Sequence, residues 1–285
     1  MPNRHIVLAT CDRLPEPTAS DRILFEALEA RGASVSALPW SSIVRRTPAD
    51  LILLRSTWDY HKRIAEFRAW LGEMEAAGRR VLNPVPTVRW SMDKSYLKDL
   101  AASGIAIPRT HFEEHLTPES LGRLMETLEW GRAVVKPRVS ATAFGTLLVR
   151  AGEPVAPEEL APVRETGALV QEYVKEVVEH GELSLMFFGG QYSHAVIKLP
   201  KSGDFRVQAD YGGSTSSILP SETAIQFATR VLQVAPHPWA YARVDMVEAE
   251  NGPWLMELEL IEPQLFFDIE PLGAERLADH LISSV

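Results

Sequence analysis

The chain has little cysteine. Cys11 is the only one among 285 residues, so no intrachain disulfide can form and a reducing, cytoplasmic setting is expected. It has no run near the about 18 apolar residues a membrane span requires. Ile6-Val7-Leu8-Ala9 is also too short for a secretory signal core, so no membrane partner is expected. Positive charge is not in excess: 29 Lys and Arg face 38 Asp and Glu, a formal net charge of −9. That balance argues against a nucleic-acid partner gripped through its phosphates. A Walker A loop is missing, as is any G-x-G-x-x-G after a strand, which sets aside two common nucleotide folds. An acidic surface still permits a local basic pocket, so small phosphate-bearing ligands stay open.

What is present is an ordinary globular composition, 46% hydrophobic and 24% charged, with chain enough for a real core. His5 to Thr10 reads as a short buried strand. A helix follows, with Ser20 as its expected N-cap, Ile23, Leu24, Ala27 and Leu28 on one face, and Gly32 as its stop. Asp50 to Leu54 is a second apolar run, ending in the polar-aromatic string Arg55-Ser56-Thr57-Trp58-Asp59-Tyr60-His61. A helix with Ile64, Phe67, Leu71 and Met74 on its buried stripe and a strand at Arg80 to Asn83 complete a βαβ rhythm. This predicts a parallel sheet over residues 1–90, with 55–61 beyond the carboxyl end of a strand, where such sheets bind ligands. A surface loop anchored by Trp58 fits the same string, and both readings stand at this point.

From residue 91 the texture changes. A helix is expected from Ser91 to Ala102, another opened by Thr117-Pro118, and strands at 133–138 and 146–150 around the small-residue linker Ser140 to Gly145. Past 168, strands dominate at 168–174, 182–188 and 191–199, with one helix near 221–234 before a final hairpin. Three regions result: an α/β unit at 1–90, a small α+β unit at 91–168 and a strand-rich α+β unit at 169–285. His111-Phe112-Glu113-Glu114-His115 matches a zinc-protease pattern, H-x-x-E-H. That chemistry needs a helix, and the segment between Pro108 and Pro118 reads as extended, so a solvated connector is expected.

The hairpin carries more. Arg243 to Val247 and Leu255 to Leu260 both alternate. A two-residue turn at Asn251-Gly252 would cross apolar and charged faces, whereas a three-residue loop, Glu250-Asn251-Gly252, pairs Asp245 with Glu257 and Arg243 with Glu259. Val244 then meets Leu258 and Met246 meets Met256. Opposed acids repel unless something positive lies between them. A divalent cation meets that need, Mg2+ or Mn2+ for oxygen-only ligands; Arg243 neutralising Glu259 on a solvated face meets it too. Lys136 ends the apolar run Ala133-Val134-Val135 and precedes Pro137, a place suited to holding phosphate as a point charge, with backbone amides of Ser140 to Gly145 near it. Lys198 and Arg206 flank a second turn.

In order, these residues resemble the ATP-grasp superfamily: Asp93-Lys94, Gly104 to Pro108, Val134 to Pro137, Gln171-Glu172-Tyr173-Val174, Gly181 to Ser184, Gly203 to Arg206, and Asp245 with Glu257-Leu258-Glu259. The resemblance covers most of the chain. It implies two α+β subdomains clamping ATP behind an N-terminal βαβ domain. It also implies that Lys94 and Lys136 contact phosphates, that Gln171 to Val174 face adenine through backbone groups of Glu172 and Val174, and that Glu182 binds ribose. Asp245 and Glu257 would hold Mg2+ (or Mn2+), with Glu259 where many members have Asn. Arg206 and Lys198 would serve the reacting phosphates. Arg55 to Tyr60, Val88-Arg89-Trp90 and Glu259 to Pro263 are similar to a glutathione-synthetase-like branch that includes a cycloserine-forming cyclo-ligase. The implied chemistry is ADP-forming ligation of a small amino-acid-like carboxylate to a nitrogen, with Arg55, Thr57, Asp59, Tyr60, Gly213 and Ser214 as the acceptor pocket. A kinase on the same fold and a non-catalytic nucleotide-binding protein are the alternatives at this stage, and a homodimer is expected because dimers are common in the family.

Overall fold

The structure, a computed structural model, describes residues 4–236 and 238–284. The first unit is a parallel sheet in the order β2-β1-β3-β4, built from β1 (His5–Thr10), β2 (Ser34–Pro39), β3 (Leu51–Leu54) and β4 (Val81–Leu82). Helices α1 (Ala19–Ala30) and α2 (Ile64–Ala76) cover its two faces. Because strands buried on both faces must be apolar throughout, β3 reads Leu-Ile-Leu-Leu without alternation. The cap of α1 is Thr18, whose Oγ1 accepts from Asp21 N at 3.0 Å, not Ser20. The helix starts earlier than expected, and Ser20 turns inward to accept from Phe267 N at 2.9 Å.

A helix not expected from the sequence, α3 (Val85–Ser91), ends where the expected one was to begin, and of the expected Ser91 to Ala102 helix α4 (Tyr96–Ala102) forms. Between them, the Asp93 carboxylate accepts from Ser95 N at 2.8 Å, a local turn that competes with helix continuation. The second sheet, β5-β8-β6-β7, is antiparallel: β5 (Thr110–Glu113), β6 (Arg132–Pro137), β7 (Leu147–Arg150) and β8 (Ala168–Glu172), backed by α5 (Pro118–Thr127). A division at 168/169 therefore cuts through β8, which pairs with β5 and β6; the central unit runs through Glu172. His111 and Glu113 lie on the extended strand β5 and bond to each other at 2.9 Å, so the zinc-like pattern has no helix to stand on.

After a single turn, α6 (Glu176–Glu179), comes the five-stranded antiparallel sheet β11-β10-β9-β12-β13: β9 (Glu182–Phe188), β10 (Gln191–Leu199), β11 (Ser214–Ser217), β12 (Tyr241–Ala249) and β13 (Gly252–Glu259). Helix α7 (Glu222–Val234) packs on one face, where Leu183, Leu185, Phe187, Val244 and Leu258 point. The opposite face changes character along its length. Met186, Phe188, Val196 and Tyr241 pack against the N-terminal sheet and the last helix, α8 (Pro271–Ser284), while Lys198, Arg243, Asp245 and, past Ser184, Glu182 continue that face. The hairpin register holds at Arg243↔Glu259, Val244↔Leu258 and Asp245↔Glu257. The expected Met246–Met256 pair is not formed: a bulge gives Met246↔Leu255, and the loop is the two residues between Ala249 and Gly252. The bulge supplies the one-residue offset that the three-residue loop was expected to supply.

Candidate active site

One cavity of about 850 Å³ is lined from all three units. Its floor is the charged stretch of the five-stranded sheet. Register alone sets Lys198 beside Glu182 across β10 and β9, and Asp245 between Ser184 and Glu257 across β9, β12 and β13. Lys198 Nζ lies 2.5 Å from Glu182 and 3.2 Å from Asp245. Asp245 also accepts from Ser184 Oγ at 2.5 Å and from Arg243 Nε and Nη2 at 2.9 and 2.8 Å. Burial alone would raise the Asp245 carboxyl, but Arg243, Lys198 and these hydrogen bonds outweigh it and hold it well below the usual carboxylate range. Burial would likewise push the Lys198 ammonium down; Asp245 and Glu182 reverse that and leave it raised. Glu182 stays raised, by burial and the Asp245 charge against the pull of Lys198. Arg243 also pairs with Glu259, whose pKa burial and the neighbouring Glu257 and Asp245 push up to about 7 despite that pairing.

The wall opposite comes from the central sheet. Lys136 Nζ donates to Gln171 Oε1 at 3.0 Å, and Gln171 Nε2 donates to Thr110 Oγ1 at 3.0 Å. Burial lowers the Lys136 pKa. Glu172, Tyr173 and Val174 line the same wall. Of the Glu172 backbone groups, the amide donates to Arg109 O at 2.9 Å inside the sheet, where β8 pairs with β5. Lys94 spans wall and floor: its Nζ donates to Ser140 O at 2.9 Å and lies 3.0 Å from Glu257 Oε1. The loop beyond Ser140 is strained, with Thr142 and Ala143 at φ of 50° and 53°. Gly145 closes it at φ +69°, where a Cβ would sit 2.4 Å from Pro162. Phe144 reaches from this loop to the N-terminal unit, its ring 5.1 Å from that of His61 and 5.5 Å from Lys62 Nζ. His61 is held neutral, its pKa lowered to about 4 by burial.

Arg206 also faces the cavity, paired with Asp204 at 2.8 Å and lying 3.7 Å over the Tyr211 ring. Gly213 lines it where any Cβ would collide with Val207 O, and Ser214 lies outside among the first residues of β11. Of the N-terminal acceptor residues expected, Tyr60 lines the cavity and Arg55, Thr57 and Asp59 do not. Arg55 and Thr57 are fully buried, Arg55 donating to Asp21 Oδ1 and Pro263 O, both at 2.8 Å. Asp59 accepts from Trp40 Nε1 at 2.7 Å. Arg55 and Asp59 thus turn onto other protein groups, while Thr57 Oγ1 is buried without a hydrogen-bond partner among the described residues. Trp58 and Glu262, not singled out as site residues in the sequence, line the cavity, and Arg243 lines it too, forming the pair with Glu259 that one reading of the hairpin anticipated and a second with Asp245 that it did not. The signal for Arg243 was its place two residues before Asp245, on the same strand face.

Asp245, Glu257 and Glu259 offer oxygen donors only, from adjacent positions of one hairpin face bordering the cavity. That chemistry fits a hard divalent cation. Each of the three is paired with a lysine or arginine, and among the described residues no three metal-binding side chains converge on a single point.

Residues 6–83 match the family described as the N-terminal domain of D-cycloserine synthetase DcsG, and residues 93–267 match the RimK-like ATP-grasp domain. The chain belongs to the RimK-like ATP-grasp family. It is 32% identical to the cycloserine biosynthesis protein DcsG of Streptomyces lavendulae over 279 residues, 90% of this chain and 91% of that one. The crystal structure of D-cycloserine synthetase DcsG superimposes with a TM-score of 0.85 at 28% identity, covering 98% of this chain and 99% of that one. The ATP-grasp ligase PsnB, solved with a phosphomimetic precursor variant, Mg and ADP, shares the fold at a TM-score of 0.64 and 16% identity, covering 99% of each chain. The three sheets are thus those of an ATP-grasp enzyme with its N-terminal domain, and the chain is an ATP-dependent carboxylate–amine ligase. Enzymes of this family use ATP and Mg2+.

Proposed function

We propose that this ligase activates the carboxylate of a small amino-acid-like substrate as an acyl phosphate and closes a ring on it with a nitrogen of the same molecule. The observation that carries the reading is the convergence of Lys94, Lys136, Lys198 and Arg206 with Asp245 and Glu257 on one cavity lined by all three units. ATP lies with its base along Gln171 to Val174, its ribose at Glu182 and its phosphates between Lys94, Lys136 and the Ser140 to Gly145 loop. A carboxylate oxygen attacks the γ-phosphorus and ADP leaves; the nitrogen then attacks the acyl carbon, phosphate leaves with the bonding pair, and the nitrogen gives up a proton. Mg2+ (or Mn2+), held by Asp245, Glu257 and Glu259, supplies when bound the positive charge that offsets charge build-up on the transferring phosphoryl group. Arg206 and Arg243 flank that group, and Lys198 keeps Asp245 and Glu182 in place. The Phe144 contact on His61 and Lys62 closes the lid against water, which would hydrolyse the acyl phosphate. Likeness to DcsG over nine-tenths of the chain favours cycloserine-type ring closure over joining two molecules.

The test is incubation with Mg-ATP and pooled amino acids, with and without hydroxylamine. ADP, phosphate and hydroxamate together support the acyl phosphate. A stable phosphorylated product, or no ADP with any substrate, sinks the reading.

A further inference from the structure

Past the metal-side hairpin the chain runs for six residues without regular secondary structure, from Leu260 to Leu265, and five of these six are buried. Buried carbonyls outside a helix or sheet need other partners. Here every one has a side chain from elsewhere. Asn83 Nδ2 donates to Leu260 O at 2.8 Å, Tyr241 OH to Ile261 O at 2.7 Å and Trp58 Nε1 to Glu262 O at 3.1 Å. Arg55 Nη2 donates to Pro263 O at 2.8 Å, Arg243 Nη1 to Gln264 O at 3.2 Å, and the Nε2–H tautomer of His194 to Leu265 O at 2.9 Å. Removing any one of these donors would leave a carbonyl acceptor unsatisfied, which costs more than the bond contributes when made. Six in a row hold this loop more firmly than an ordinary connection.

What the loop presents is Glu262. Its residue is 9% exposed, and it lines the cavity. Among the described residues no side chain forms an ion pair or hydrogen bond with its carboxyl. Lys94 and the backbone amide of Glu262 itself favour the charged form, and Lys94 is engaged with Ser140 and Glu257. Burial and the Glu259 and Glu257 carboxylates push Glu262 up to about 8; a cation placed beside it would ionise it. Trp58 and Tyr60 share this end of the cavity. A buried carboxyl on a rigid loop, opening on a cavity without a side-chain partner among the described residues, is complementary to a compact cation with N–H donors.

We propose that Glu262 receives the α-ammonium group of the amino-acid substrate, with Arg55 and Trp58 as positioning residues for its loop. The proposal rests on the ligase reading of the same cavity and narrows the substrate class to free primary amino acids, excluding N-acylated or des-amino acids. The probes are β-aminooxyalanine, which is ring-opened cycloserine, in both enantiomers, and its des-amino counterpart aminooxypropionate, each with Mg-ATP and the full chain. ADP formation is followed for the wild type, Glu262→Gln and Glu262→Asp. The wild type is expected to favour one aminooxyalanine enantiomer over aminooxypropionate by about 10- to 100-fold in KM, the range of a charge-assisted hydrogen bond. Glu262→Gln is expected to erase that ratio with the KM for ATP unchanged, and Glu262→Asp to restore part of it. Equal discrimination by wild type and Glu262→Gln overturns the proposal. So does a rise in the Mg2+ needed for half-maximal activity without a change in amino-acid KM, which would make Glu262 a metal ligand. No ADP from the wild type with any of the three compounds counts instead against cycloserine-type ligation, and the proposal falls with it.

Discussion

The two ends of the cavity handle charge in opposite ways. At the sheet floor, strands hold Lys198, Arg243, Asp245, Glu182 and Glu259 in mutual contact, so the charges neutralise one another. At the loop end, a single carboxyl stands on irregular backbone, and the protein's effort goes into fixing the backbone. A sheet can place opposite charges side by side through register, whereas a loop has no such repeat and must be pinned carbonyl by carbonyl. The floor therefore suits a ligand that is itself a mixture of cation and polyanion. The loop end suits a ligand that brings one missing charge.

The contrast can be broken most severely at the floor. Glu257→Gln, isosteric and half-buried, is expected to lower turnover by about 1,000-fold or more while the circular dichroism spectrum keeps its native shape; unchanged turnover would remove Glu257 from the metal site. Lys198→Met leaves Glu182 and Asp245 without their shared cation, and a loss of about 3–5 kcal/mol in urea unfolding is expected, the cost of an unpaired buried charge. A loss under 1 kcal/mol would mean that the floor charges are not coupled as described. At the loop end the sign reverses with pH. Glu262 titrates at about 8 in the fold and near 4.3 when unfolded, so between those values the folded state binds more protons and its stability falls as pH rises. Glu262→Gln removes that loss. Its stability relative to wild type in ligand-free protein is expected to increase by about 1–3 kcal/mol between pH 5 and 8, and a pH-independent difference would contradict the burial described. The smallest effect is expected from Phe144→Ala: an unchanged melting temperature, and a several-fold rise in phosphate released without ligated product. Unchanged coupling would show that the contact with His61 does not keep water out.

Much of this was legible in the chain. The apolar run of β3, the capping pattern at Thr117-Pro118 and the alternation of β12 and β13 specify elements through local geometry, and the hairpin's charge pattern permits only one useful pairing of Asp245 with Glu257. Helix α8 and the split between α3 and α4 were not legible. The first is stabilised by packing on α1 and the N-terminal sheet, and the second by one Asx turn. The string from Arg55 to Tyr60 shows the limit best. Its composition suggests a ligand pocket, yet Arg55 and Trp58 hold a loop more than 200 residues away in sequence.

By itself, then, the sequence determined the elements whose reasons are local: strand and helix periods, caps, the acid pair on one hairpin face and the lysines that end strands. Those follow from dihedral preference and side-chain alternation within a few residues. Only the tertiary structure decided which charges meet. That Lys198 sits between Glu182 and Asp245, that Lys94 joins Ser140 to Glu257, and that Glu262 is left facing the cavity all depend on contacts across more than fifteen residues of chain. Over such separations the price of bringing groups together is met by the packed cores of the three units, and no short stretch of sequence records it.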